Sequence, residues 1–139
     1  MKKIANDAGT SDALLLVLRI GVALLMLTHG VPKMMMLLGG GPIQFPAMMG
    51  LSSEASLILA VGAEVFCSLL VLTGAATRLA VIPLIITMLV AVFIVHGSDP
   101  FSSKEPGLMY LLMYTSLLIG GSGRYSVDFA IRRKTNRSF

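Results

Sequence analysis

Four stretches of this chain, 13–36, 54–73, 77–96 and 106–121, are overwhelmingly apolar. A run of about twenty such residues matches the hydrocarbon core of a bilayer at about 1.5 Å per residue; the last is somewhat short. Lipid offers no partner to a backbone N–H or C=O, so each run must satisfy its own by forming a helix. The alternating pattern of a membrane β-barrel is not seen. The expected fold is all-α, a transmembrane four-helix bundle making one integral membrane domain over 1–139. Composition agrees with that reading. Hydrophobic residues make up 55% and charged residues 13%, about half the charged share of a soluble domain.

The connections can be read in the same way. GGGPIQFPAMMGLSS is a loop rich in Gly and Pro, with Phe45, Met48 and Met49 suited to lie against the membrane. Ser52 or Ser53 caps the second helix, and Glu54 sits in its first turn. Gly74 ends that helix, and GAAT makes a tight turn into the third. Pro32 is expected to bend or end its helix, and Pro83 to kink the third near its inner end. Gly97 stops the third, and Pro106 suits the first turn of the fourth. RYSVDFAIRRK reads as a short amphipathic helix at the interface. Asp7, Asp12 and Arg19 interrupt what would otherwise resemble a secretion signal, so the first run is expected to remain as a span.

Charge sets the expected orientation. With the N-terminus inside, Lys2, Lys3, Arg78, Arg124, Arg132, Arg133, Lys134 and Arg137 face the cytoplasm, and only Lys33 and Lys104 face outward. That bias predicts N-in, C-in, with a basic cytoplasmic tail over 124–139. The tail suits anionic headgroups, and no nucleic-acid partner is expected. Cys67 is the only cysteine, which rules out a dithiol relay within the chain.

The polar residues inside the runs are the candidates for function, because such groups face the bundle interior or a wet cavity. Arg19 lies about 6 Å from the midpoint of the first run. Glu64 lies near the centre of the second, among Ala60, Val61, Cys67 and Ser68. An Arg19–Glu64 ion pair across the first two helices is predicted, either fixing register or forming part of a proton or ligand path. In LTHGVPK, Lys33 falls about 40° and His29 about 80° from the Arg19 line, which extends the stripe toward the outer mouth. His96, Glu105 and Tyr110 come to that mouth from the third and fourth helices. The expected polar seam is Arg19, His29, Lys33, Glu64, His96, Glu105 and Tyr110. Such a set suits a polar headgroup, a quinone carbonyl or a small anion. Haem ligation by His29 and His96, or a metal on those two with Glu105, has little in the spacing to support it, and no metal is expected. No Walker loop, dinucleotide fingerprint, catalytic triad or cysteine cluster occurs, so no catalytic residue can be named.

Taken in order, Arg19-x-Gly21, His29-Gly30-x-x-Lys33, Glu64, Gly74-x-x-Thr77-Arg78, His96 and Gly123-Arg124-Tyr125-Ser126-x-Asp128 resemble the DoxX family of small bacterial membrane proteins, over roughly 14–130. The resemblance implies a multi-pass protein of the bacterial inner membrane, similar to a subunit of a thiosulfate:quinone oxidoreductase. Some members are linked to oxidative-stress complexes. It suggests quinone as the cofactor, and redox proteins or a second copy as partners besides the bilayer. It supplies no catalytic residue. Two other functions stay open: a small-molecule, anion or proton carrier or channel gated by Arg19 and Glu64, and a membrane scaffold without chemistry of its own.

Overall fold

A computed structural model describes residues 2–136, with side chains from Ala8 onward. Of the basic residues counted on the inner rim, the side chains of Lys2 and Lys3 and all of Arg137 lie outside the described residues. Five helices form: α1 Lys2–Leu38, α2 Ser53–Thr73, α3 Thr77–Val95, α4 Phe101–Gly120 and α5 Val127–Thr135. α1 over Ala8–Leu38, α2 and α3 are long and apolar enough to cross a membrane. α4 has the length, 20 residues. Ser102, Ser103, Lys104 and Glu105 in its first turns make it less apolar than the other three.

Local chemistry accounts for most boundaries. The Ser52 hydroxyl accepts a hydrogen bond from the Ala55 N–H at 3.1 Å and starts α2. Gly74, at φ 72°, turns left-handed and donates its N–H back to α2, ending it. Ser126 caps α5 by accepting from Phe129 N–H at 3.2 Å.

One expectation about proline is narrowed and one is corrected. Of the two outcomes expected at Pro32, a bend or an end, the end does not occur, since α1 runs on to Leu38; the ring removes one backbone donor, and the turns on either side persist. Pro106 is not in the first turn of α4, because that helix already starts after Pro100. There Lys104 Nζ donates to the Gly97 carbonyl at 2.8 Å and ties the helix start to the preceding loop.

α1 to α4 pack in sequence, each on the next, and α4 closes back onto α1. Val22, Met26, Val71, Val81, Leu84, Tyr114 and Leu117 fill the middle. The bundle has a hairpin end, with the 74–76 turn and the 121–126 segment, and a long-loop end, with 39–52 and 96–100. α5 is pinned at the hairpin end. The Asp128 carboxylate accepts from the Ala76 N–H at 2.7 Å and the Thr77 N–H at 3.3 Å, so it satisfies the open start of α3. The Asp128 N–H donates to the Gly74 carbonyl at 3.0 Å.

Two helices depart from the α pattern. α2 widens to i→i+5 bonding over Gly62–Cys67, and α3 does so over Ala91–Val95. Such π segments insert an extra residue into a turn and re-aim the side chains around it. The first carries Glu64, and the second ends beside His96.

Candidate functional site

The predicted Arg19–Glu64 pair does not form. Arg19 and Glu64 are each only 2% exposed, yet they serve opposite ends of the bundle. Arg19 lies at the hairpin end and donates to backbone: Nη1 to the Ser122 carbonyl, and Nη2 to Tyr125 at 2.8 Å and to Leu72 at 3.5 Å. Its role there is to satisfy one carbonyl at the end of α2 and two in the 121–126 segment. Gly74 makes room for it. A Cβ at that position would lie 2.7 Å from Arg19 Nη1 and 2.6 Å from Ser126 Cβ.

Glu64 pairs instead with Lys33, whose ammonium lies 2.5 and 2.7 Å from the two carboxylate oxygens. The reason is the direction of side chains along a helix, which lean toward its N-terminus. On α1 that carries Arg19 away from Glu64 and brings Lys33 back toward it. On the antiparallel α2 it carries Glu64 toward Lys33. Gly30, one turn before Lys33, lets the helices close. A Cβ there would meet Val65 Cγ2 at 2.9 Å and Glu64 Cβ at 3.0 Å. In His29-Gly30-x-x-Lys33, the glycine sets the approach and the lysine supplies the counterion.

Three further predicted residues gather around the pair. The His29 ring meets the Tyr110 ring edge-on, with centroids 5.9 Å apart, and Tyr110 stacks on Tyr114 at 6.0 Å. His96 forms a local pair with Asp99, Nδ1 to Oδ2, at 2.7 Å. His29, Lys33, Glu64, His96 and Tyr110 line one cavity of about 300 Å³ at the long-loop end. Gly107 narrows the gap between α3 and α4 there, since its Cβ would meet Val92 Cγ2 at 2.5 Å. Glu105 is exposed and does not line the cavity. It lies on the solvent side of the α4 start, so it leaves the predicted set, as Arg19 does.

A second cavity of about 380 Å³ lies on the other side of the ion pair and shares Lys33, Glu64 and His96 with the first. Its remaining walls are mainly apolar, from the loop residues Phe45, Met48 and Met49 and from α2 and α3. The Lys33 ammonium is 5.8 Å from the Phe45 ring centroid, within cation–π range. The Met48 N–H donates to Ser56 Oγ at 3.0 Å and fastens this loop over α2. Glu64 and Lys33 therefore line both a cavity of mixed polar and apolar walls and a mainly apolar groove. Among the described residues, no three His, Cys, Asp or Glu side chains are arranged to hold a metal ion.

Residues 14–97 match DoxX, which is more than half of the 139-residue chain. The chain belongs to the DoxX family. The matched region runs from α1 through α3 and holds Arg19, His29, Lys33, Glu64 and His96. It stops before α4, so it is shorter than the 14–130 span of the resemblance, and the Gly123–Asp128 segment lies beyond it. No curated protein and no solved structure matches this DoxX chain. Two motifs outside the long-loop site now have structural roles. Gly74-x-x-Thr77 and the Ser126-x-Asp128 segment meet at the hairpin end and lock α5 to the turn.

Proposed function

We propose that this DoxX protein binds a quinone-like molecule at the Glu64–Lys33 site and serves as an accessory subunit of an inner-membrane oxidoreductase system. One observation carries the reading: the buried Glu64 carboxylate and its half-buried partner Lys33 stand where a cavity of mixed lining meets an apolar groove. An amphiphilic ligand needs both. Its polar head requires donors, and its tail requires an apolar path to the bilayer. The residues fit such a molecule. Lys33, His29 and Tyr110 offer hydrogen-bond donors for carbonyl oxygens. Phe45, Met48 and Met49 offer a flexible apolar wall for the tail. A bound quinone would supply two-electron carrier chemistry, and Lys33, His29 and Tyr110 would orient its head in the cavity they line.

The supporting topology has four spans, with both termini on the cytoplasmic side and the ligand site near the outer face. Arg78, Arg124, Arg132, Arg133 and Lys134 all belong to the hairpin end, which favours that end as the inner one. The carrier or channel reading is weaker. Val71, Leu84 and Leu117, all fully buried, fill the bundle between the chamber and the hairpin end.

The test is the lipid extract of the purified protein. About one quinone per chain is expected from the wild type, with most of it lost from His29→Ala, whose exposed side chain has little part in folding. Wild-type protein from quinone-replete membranes that carries none, and takes up none when quinone is added, would overturn the proposal.

A further inference from the structure

A third cavity lies away from the Glu64 site. It opens at the hairpin end, with a volume of about 490 Å³, and three arginines from three different elements reach it: Arg78 at the start of α3, Arg124 in the 121–126 segment and Arg132 on α5. Asp12 and Asp128 also line it, but both are engaged within the chain. Asp12 accepts from the Arg124 N–H at 3.0 Å and pairs with the Arg124 side chain at 3.3 Å. Asp128 is held on the Ala76 and Thr77 N–H groups. Arg78 gives one N–H to the Ile119 carbonyl at 2.9 Å, and Arg132 Nε makes a long bond of 3.4 Å to the Asp128 carbonyl. Both keep further donors on a planar fork. The balance inside the cavity is positive, and guanidinium forks match phosphate oxygens.

The surroundings say what carries the phosphate. Leu79, 71% exposed, and the exposed Phe129 sit at the rim, and both line the cavity. A charged cup with apolar side chains at its lip fits a molecule whose phosphate continues into hydrocarbon.

We infer that the cavity bounded by Arg78, Arg124 and Arg132 is a headgroup site for an anionic glycerophospholipid, with its phosphate on Arg78 and Arg132 and its acyl chains leaving past Leu79 and Phe129. The site is separate from the proposed quinone site and lies at the opposite end of the bundle. It goes beyond general attraction of a basic tail to a charged surface, because it requires residues of the cup and not merely residues of the tail. Arg133, adjacent in sequence and exposed, does not line the cavity and provides the contrast.

The full chain in neutral detergent is titrated with short-chain phosphatidylglycerol, and bound lipid is counted by native mass spectrometry. One tightly held lipid is expected. Arg132→Gln should weaken it about fivefold, the scale of one interfacial cation, and Arg78→Gln with Arg132→Gln should weaken it further. Arg133→Gln should leave it unchanged. If Arg78→Gln fails to fold, Arg132→Gln against Arg133→Gln decides alone. Equal loss from Arg132→Gln and Arg133→Gln would mean diffuse surface charge and would overturn the site. Equal binding of phosphatidylcholine would overturn its preference for anionic lipid. Competition by millimolar inorganic phosphate, equal to that by the lipid, would show a free-anion site and overturn the lipid assignment.

Discussion

Lys33 and Glu64 depend on each other. A buried carboxylate without its counterion is far more costly than the pair is stabilising. Lys33→Met alone should therefore destabilise the bundle by about 3–5 kcal/mol, measured as denaturation in mixed micelles. Adding Glu64→Gln to it should recover much of that loss. A double-mutant cycle should show strong coupling between positions 33 and 64 and almost none between 19 and 64. Coupling between 19 and 64 as large as that between 33 and 64 would sink this assignment. That Glu64 needs a cation from the opening helix was legible from the sequence, as was its general position. Which cation took which partner was not. Depth along a helix axis places Arg19 near the carboxylate, but a long side chain is aimed as well as placed, and helical tilt sends Arg19 toward its own N-terminus.

At the level of elements, the caps were readable and the irregular turns were not. Ser52 and Gly74 carry local chemistry that works the same way in any protein. The π segments at Gly62–Cys67 and Ala91–Val95 have no such signature, because an i→i+5 turn is retained by packing around it and not by the residues within it. Both sit at the proposed ligand site, one holding Glu64 and the other leading to His96. The Gly74 turn gives the clearest prediction at this scale. Gly74→Ala adds a Cβ at a positive φ and sets it 2.6 Å from Ser126. It should cost more than the about 1 kcal/mol of left-handed strain alone. It should also release α5, read as faster hydrogen exchange in Val127–Thr135 with Glu64-site ligand binding retained.

At the level of the molecule, the layout rests on four helices packed in chain order. The three candidate spans were foreseeable from apolarity, and the short C-terminal helix from its alternation of apolar and basic residues. The closing of α4 on α1 and the division of the polar groups into two separate clusters depend on tertiary packing. The proposed N-in, C-in arrangement predicts that cysteines introduced at Ala47 and at Arg133 are modified from opposite sides by a membrane-impermeant reagent, Ala47→Cys from outside and Arg133→Cys from inside. Modification of both from one side would require a different number of crossings.

The hydrogen bonds of Arg19 also bear on how the chain is made. Two of the carbonyls that its guanidinium holds belong to Ser122 and Tyr125, more than a hundred residues later. While the ribosome is still producing the intervening helices, the opening segment must wait in or beside the insertion machinery with a cation whose final acceptors have not yet been synthesised. The first helix can thus settle only after nearly the last one has arrived, and chains interrupted before residue 122 should be marked for destruction by the membrane's quality-control proteases.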